Sequence, residues 1–238
     1  MSTFIQFIDR LLIELLSPQC LVCSKFCDRN LCEECARFEK FKGRCLICGK
    51  ETGAVSGNCG ICRSSEFSLS GIQSVFYFSP VGQSILHRIK FGKEPIWLKL
   101  FDSVLLLDPH LLIPGDPWVV AVPMHWTRRI QRGFNQSELL AQRLAKNQGL
   151  RFGKNTLKKK RRTKPQSRLS HALRRSNLRN TFKAKFPSEI PDTVILVDDV
   201  MTTGSTLKAC AKALRKAGVR EVWGWTLFRA EKTLKASP

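Results

Sequence analysis

The stretch VILVDDVMTTGSTL, residues Val194 to Leu207, joins an apolar run to two adjacent acids and then to a loop rich in hydroxyl side chains. The run Val194–Val197 is typical of a buried strand. The loop Thr202–Thr206 contains one glycine, and a helical pattern follows it. We therefore predict a strand–loop–helix unit in which Asp198 and Asp199 stand where the strand ends.

Strand and helix patterns alternate on both sides of this stretch. Strand patterns occupy Leu69–Phe78, Pro117–Pro123 and Val219–Phe228. Helical patterns occupy Val81–Gly92, Asn135–Gly149 and Ser205–Gly218. The alternation predicts an α/β fold with a mostly parallel central sheet that is covered by helices on both faces.

The acids and the loop indicate a ligand with two different ends. Ligands of such sheets bind beyond the carboxyl ends of the strands. Gly204 allows close approach of the backbone, and the N–H groups at a helix start can hold a phosphate. Because a phosphate repels carboxylates, Asp198 and Asp199 are better suited to hydroxyl groups or to a metal ion. A phosphorylated pentose fits this pattern, and a plain strand–turn–helix without a ligand is the alternative.

The cysteines of the first quarter of the chain form four C-x-x-C pairs. The pairs are Cys20/Cys23, Cys32/Cys35, Cys45/Cys48 and Cys59/Cys62. Two such pairs complete a tetrahedral sulfur shell for zinc, so the spacing predicts two zinc ribbons closed by sequential pairing. Crossed pairing, one zinc ion with a degenerate second site, and a disulfide framework are the alternatives. We expect Cys27 not to be a ligand and Cys210 to lie in the core.

The charge of the chain indicates anionic partners. Its 238 residues contain 40 Lys and Arg against 19 Asp and Glu, a formal net charge of +21. Nucleic acid, phosphorylated metabolites or an acidic membrane surface are the partner classes that such a balance favours. A hydrophobic content of 43% excludes a disordered chain.

The N-terminal segment Phe4–Leu16 has apolar residues at helical spacing. Asp9, Arg10 and Glu14 interrupt it, so we predict an amphipathic helix rather than a membrane span or a signal peptide. Reduced, metal-binding thiols are typical of the cytosol, and we expect a cytoplasmic protein.

The opening stretch closely resembles the signature of type I phosphoribosyltransferases, which bind phosphoribosyl pyrophosphate. The resemblance implies that Asp198 and Asp199 bind the ribose hydroxyls and that Thr202, Thr203, Gly204, Ser205 and Thr206 surround the 5′-phosphate. It also implies a magnesium ion that bridges ribose and pyrophosphate oxygens. Met124–Arg132 follows a strand end where these enzymes hold pyrophosphate, so Arg128 and Arg129 are candidate ligands there.

Two further blocks resemble the ComF family, namely VPMHWTRRIQRGFNQSELLA (Val122–Ala141) and KPQSRLSHALRRSNLRNTF (Lys164–Phe182). The resemblance covers nearly the whole chain. It implies a helix and double zinc ribbon over residues 1–66, followed by a phosphoribosyltransferase-like domain over residues 67–238. ComF-like proteins are linked to competence, the uptake of transforming DNA by bacteria, so other competence proteins are candidate partners.

A long basic segment favours a role with single-stranded DNA. Leu139–Ser188 contains sixteen Lys and Arg and no acid, and it is densest at Lys158, Lys159, Lys160, Arg161, Arg162 and Lys164. One small substrate does not need sixteen charges, whereas a polyanion track does. A catalytic lid and a solvated basic face are the alternatives. For the whole protein, the alternative function is a metabolic, amidophosphoribosyltransferase-like enzyme that acts on a nitrogen nucleophile without DNA.

Overall fold

The computed structural model describes residues 19–20, 22–27, 32–36, 45, 47–49, 59, 69–93, 95–105, 113–160 and 181–230. Several residues that the sequence singles out lie outside these ranges. They are the predicted helix Phe4–Leu16, Cys62, Arg161, Arg162 and Lys164.

A parallel sheet lies at the centre of the fold. The strands are β1 (Gly71–Tyr77), β2 (Trp118–Ala121), β3 (Leu157–Lys159), β4 (Phe182–Ala184), β5 (Thr193–Met201) and β6 (Glu221–Arg229). Four of them form the sheet in the order β1-β6-β5-β2, and every neighbouring pair is parallel. Phe152 adds a short parallel bridge to Val119 on the free edge of β2. Strands β3 and β4 form a separate antiparallel hairpin.

The described helices are α1 (Glu33–Ala36), α2 (Pro80–His87), α3 (Trp126–Arg132), α4 (Gln136–Gln148) and α5 (Ser205–Lys216). Helix α2 continues into a π-helical turn, Arg88–Gly92, and a 3₁₀ segment follows at Pro95–Val104. None of the helices in the described ranges is long and apolar enough to cross a bilayer.

Each face of the sheet packs into its own hydrophobic core. Successive residues of a strand point to opposite faces. Ile195 and Val197 therefore pack with residues of α2 and α4, whereas Val194 and Leu196 pack with residues of α5. The predicted α/β fold with helices on both faces is confirmed, and Cys210 of α5 is fully buried in the second core, as predicted.

Candidate functional site

Strand β5 continues through the acid pair, whereas the sequence predicted that it ends at Val197. The reason is the length of its neighbour β6, which pairs with β5 as far as Met201 opposite Arg229. On the other side β2 stops at Ala121, opposite Val197. The two acids are therefore held by β6 on one side and lie beyond the end of β2 on the other.

The N-terminus of α4 fills the gap beyond β2 and contacts both acids. Gln136 Nε2 donates a hydrogen bond to Asp199 Oδ2 at 3.0 Å, and Ser137 Oγ donates one to Asp198 Oδ1 at 2.8 Å. Asn135 caps α4, because its Oδ1 accepts from Ser137 N at 3.3 Å. The polar run at the helix start thus positions the carboxylates.

Asp199 is buried in an ion pair. Lys90 Nζ of the π-helical turn lies 2.5 Å from Asp199 Oδ2, and both side chains are largely buried. A further link joins this pair to α3, because Arg132 Nη1 donates to Gln136 Oε1 at 2.7 Å. The resulting chain Arg132–Gln136–Asp199–Lys90 runs across the carboxyl end of the sheet.

The two carboxyl groups have pKa values that are shifted in opposite directions. Burial and the adjacent charge of Asp199 raise the pKa of Asp198 to about 7. Burial opposes the ionisation of Asp199 as well, but Lys90 and Gln136 outweigh it and hold the pKa of Asp199 below its ordinary value. In the free protein, the pair therefore carries one firm negative charge and one proton that leaves near neutral pH.

The loop after β5 encloses a small cavity beside Asp198. The cavity measures about 50 Å³, and its lining includes Asp198, Thr202, Gly204, Ser205 and Thr206. Gly204 has a φ of +70°, a left-handed conformation that favours glycine, and it precedes the first turn of α5. Thr203 Oγ1 and Ser205 Oγ lie 2.7 Å apart and stabilise the turn. The structure thus brings the acid, the hydroxyls and a helix N-terminus together around one space.

The predicted loop Met124–Arg132 is mostly helix α3. His125 Nδ1 accepts from Thr127 N at 3.4 Å and begins the helix, and Gly133 ends it in a left-handed conformation. Arg129 is engaged by Glu138, with Nη1 3.1 Å from Oε2. Arg128 is exposed.

Arg128 also lies close to two other cations. Burial lowers the pKa of Lys159, and the charge of Arg128 lowers it further. Burial likewise lowers the pKa of Arg132, where Asp199 opposes the shift and Arg128 adds to it. Arg128, Arg132 and Lys159 thus form a basic cluster near the acid pair.

The densest part of the basic segment begins in strand β3, and the two sides of this strand differ. Lys158 and Lys160 are exposed, whereas Lys159 between them is partly buried and lies 5.6 Å from the ring centre of Phe182 on β4. This alternation follows from strand geometry. It directs Lys159 toward the acid pair and leaves Lys158 and Lys160 in solvent.

The described C-x-x-C thiols gather into two clusters. Cys20, Cys23, Cys32 and Cys35 form one, and Cys45, Cys48 and Cys59 form the other, with all sulfur atoms of a cluster within 4.8 Å of one another. The sequential pairing of the knuckles is confirmed for these residues. Cys23 and Cys32 have sulfur atoms 3.7 Å apart, and Cys48 and Cys59 3.6 Å. Sulfurs around a tetrahedral zinc ion lie about 3.8 Å apart, and disulfide sulfurs only about 2.05 Å.

Backbone hydrogen bonds favour the thiolate form at one cysteine of each cluster. Burial raises the pKa of Cys20, but backbone hydrogen bonds at Cys23, Cys32 and Val22 outweigh it and lower the value to about 6. Burial also raises the pKa of Cys45, but backbone hydrogen bonds at Cys48, Cys59 and Ile47 outweigh it and lower the value to about 7. Because metal ions bind the thiolate, Cys20 and Cys45 are the readiest ligands of their clusters, and the closeness of the sulfur atoms suits each cluster to hold one ion. Among the described residues, Cys27 belongs to neither cluster.

The second cluster is attached to the sheet. Arg229 Nη1, at the end of β6, donates to the carbonyl oxygen of Cys48 at 2.5 Å. Gly49 packs so closely on β1 that a Cβ there would lie 3.3 Å from the carbonyl oxygen of Ile72. This knuckle therefore lies against the β1–β6 side of the sheet.

Comparisons with known proteins agree with the geometry. The Phosphoribosyl transferase domain family matches residues 132–237, which contain α4, the acid pair, the loop and β6. Together with the parallel sheet, this match defines a protein with a phosphoribosyltransferase domain that follows cysteine clusters of the zinc-ribbon type.

Relatives of known name extend over most of the chain. It is 34% identical over 206 residues to "DNA utilization protein YhgH" of Salmonella typhi, covering 84% of this chain and 90% of that protein. It is 33% identical over 211 residues to "Competence protein F" of Haemophilus influenzae, covering 84% and 91%. It is 28% identical over 215 residues to "Competence protein ComFC" of Bacillus subtilis, covering 85% of each. The chain belongs to the ComF family.

Proposed function

We propose that this protein binds phosphoribosyl pyrophosphate with magnesium and acts in natural competence, in the uptake or processing of transforming single-stranded DNA. Asp198 and Asp199 bind the ribose hydroxyls, and residues Thr202 to Thr206 surround the 5′-phosphate. The competence role is supported by the names of the relatives, two of which are called competence proteins and one a DNA utilization protein.

One observation carries the phosphoribosyl assignment. Asp198 lines the same small cavity as the hydroxyl loop and the N-terminus of α5. A carboxylate and a helix N-terminus that line one space suit a ligand with hydroxyls at one end and phosphate at the other. A strand–turn–helix that serves only the fold does not need a half-buried carboxyl there.

The basic cluster supports a pyrophosphate position beside the acids. Arg128 is exposed near Arg132 and Lys159, and guanidinium groups match phosphate oxygens. Arg129 can also bind the pyrophosphate if it releases its ion-pair partner Glu138. Magnesium, when bound with the ligand, neutralises phosphate charge, and oxygen donors such as Asp198 suit it.

The cysteine clusters are proposed to hold two structural zinc ions. Cys62 completes the set of Cys45, Cys48 and Cys59 by its C-x-x-C spacing. We propose that residues 1–66 form this zinc-binding domain and that residues 67–238 form the transferase domain. Because zinc thiolates need a reducing compartment, we propose a cytoplasmic location.

Single-stranded DNA is the proposed partner of the basic segment. Lys158 of β3 and Lys160 directly after this strand are exposed, and Arg161, Arg162 and Lys164 follow them in the chain. Lys159 is partly buried between these exposed cations and the acid pair, because the charge of Asp198 acts on its pKa, and we propose that it links the ligand site to the DNA-binding strand. Through Lys159, a ligand at the acid pair can change the affinity of the β3–β4 hairpin for DNA.

Calorimetry tests the proposed function. Phosphoribosyl pyrophosphate with magnesium is titrated into the metal-loaded full chain, first alone and then in the presence of single-stranded DNA. We expect magnesium-dependent binding, and an affinity that changes when DNA is present. If the affinity for phosphoribosyl pyrophosphate is the same with and without DNA, and the protein does not bind DNA, the result would instead support the metabolic, amidophosphoribosyltransferase-like enzyme. No ligand binding would refute the phosphoribosyl site.

A further inference from the structure

A second and larger cavity is lined by Lys159 of the basic cluster. It measures about 330 Å³, a volume at the lower end of small-molecule pockets. It lies between the end of β2, helix α3, the start of α4 and the hairpin strand β3. Neither the acids Asp198 and Asp199 nor the loop Thr202–Thr206 lines it.

An exposed aromatic side chain stands at this cavity. Trp126, the first residue of α3, lines it and is 64% exposed. The cap formed by the buried His125 fixes the start of the helix and thereby the position of this tryptophan. Exposed tryptophans beside a cavity are typical of binding surfaces, because the ring offers a large flat contact area.

A buried hydroxyl at the same cavity lacks a partner. Thr156 is 1% exposed, lines the cavity, and its Oγ1 has no hydrogen-bond partner in the part of the chain that the structure describes. Gly153 lies against it, since a Cβ there would be 2.9 Å from Thr156 Oγ1. Buried polar atoms are nearly always paired, so this hydroxyl, on a residue of the cavity wall, is a candidate partner for a polar ligand.

The charged residues that line the cavity leave an excess of positive charge. Arg129, Lys158 and Lys159 line it together with one acid, Glu138, which Arg129 pairs. Lys160 continues the exposed row of Lys158. A free neutral base has no charge that these cations could pair with. A base within a nucleic-acid strand has a phosphate on each side, and these phosphates match the cations.

We propose that this cavity receives one unstacked base of single-stranded DNA, with its face on Trp126 and its polar edge toward Thr156. Lys158 and Lys160 contact the flanking phosphates. The inference rests on the proposed role with single-stranded DNA and adds where and how a base is held. Every base can stack on an aromatic ring, so we expect the site to bind single-stranded DNA without sequence specificity.

The test compares two strands of equal length, one with bases and one made only of abasic deoxyribose phosphate. Both are titrated at fixed salt into the wild type and into Trp126→Ala, Trp126→Phe and Ile190→Ala. Ile190 is another exposed apolar residue, beside Gly218 at the end of α5. We expect Trp126→Ala to weaken binding of the base-containing strand by roughly 5- to 140-fold and to leave the abasic strand unchanged.

Trp126→Phe should retain most of the affinity, and Ile190→Ala all of it. Thr156→Val, which removes the hydroxyl at similar size, should also reduce the preference for the base-containing strand. If the wild type binds both strands equally, or if Trp126→Ala weakens both equally, the base pocket is refuted while DNA binding stands. If neither strand binds, the proposed role with DNA itself fails.

Discussion

The cysteine clusters and the parallel sheet are held together by different interactions. In the described part of the cysteine region, the buried apolar residues are thiols, Cys20, Cys35 and Cys45. In the sheet, apolar side chains form a core on each face. A short segment that lacks its own apolar core depends on metal, whereas the sheet buries enough surface to fold without it. Metal removal and core mutations should therefore damage different regions of the molecule.

The largest expected effect is the loss of the first cysteine cluster. Replacing Cys20 and Cys23 by serine removes two of four sulfur ligands, and a half-filled shell does not hold a structural ion. We expect elemental analysis to find about one zinc ion per chain instead of two. Limited proteolysis should cut the cysteine region and spare the sheet.

Cys27→Ser is the matched control, since Cys27 belongs to neither of the described clusters. It should keep the metal content and the protease resistance of the wild type. Wild-type protein without zinc, with thiols that titrate as disulfides, would contradict the metal-based half of the comparison.

The reverse experiment targets the sheet. Ile195 is 1% exposed in the core between β5 and α4, and Ile195→Ala should lower the free energy of unfolding of the sheet by about 2–5 kcal/mol. Urea unfolding measures this loss. Ile190→Ala, at an exposed site, should change it by less than about 0.5 kcal/mol. Loss of zinc from folded Ile195→Ala protein would show that the two regions are not independent.

A smaller effect concerns the basic segment. Replacing Lys158, Lys159, Lys160 and Arg161 by glutamine should flatten the plot of log affinity for single-stranded DNA against log salt. The slope should fall in magnitude by up to about 2.8, because each phosphate contact contributes about 0.7. The loss should be similar for different sequences, since backbone contacts carry no base information. An unchanged slope would remove the segment from the DNA-binding surface.

The last expected effect is a pH dependence at the acid pair, which is spread over several pH units. The pKa of Asp198 is about 7 in the folded chain and 3.8 ordinarily. The folded state therefore binds this proton more tightly, and the contribution of Asp198 to stability should decline as pH rises from about 4 to 7. Ligand binding, which needs the ionised acid, should instead weaken by up to about tenfold per pH unit below 7.

Asp198→Asn is the variant that checks both pH trends. It removes the titrating group, so the stability curve should lose its decline between about pH 4 and 7, and the affinity curve should lose its fall below about pH 7. Thermal unfolding and calorimetry at several pH values measure the two curves. An affinity curve identical to that of the wild type would assign the titration to the phosphates of the ligand.

The parts of the fold that repeat a local pattern were predictable from sequence. Strand β2 and helices α4 and α5 lie where apolar periodicity and terminal glycines put them, because burial and caps act within a few residues. The sulfur clusters were predictable for the same reason, since C-x-x-C spacing is a local geometry.

Long-range contacts set the features that the sequence did not predict. Strand β5 extends to Met201 because β6 continues beside it, which no local pattern reveals. Lys90 reaches Asp199 from a segment more than one hundred residues earlier, and nothing in its surroundings marks it as a site residue. Only a weak sequence signal, the polar run between α3 and α4, marks Ser137 and Arg132 as site residues. The helical conformation of Trp126–Arg132 depends on the His125 cap rather than on periodicity.

The central claim is that the carboxylates of Asp198 and Asp199, within β5, bind the ribose of phosphoribosyl pyrophosphate. The most direct measurement is the magnesium-dependent affinity of Asp198→Asn/Asp199→Asn, compared with a control of equal charge change, Asp102→Asn/Asp192→Asn, at two exposed acids outside the site. Circular dichroism first shows that both variants are folded. We predict a loss of about 1–3 kcal/mol of binding free energy per lost charged hydrogen bond in the first variant and none in the control. Wild-type affinity in folded Asp198→Asn/Asp199→Asn protein would contradict the claim.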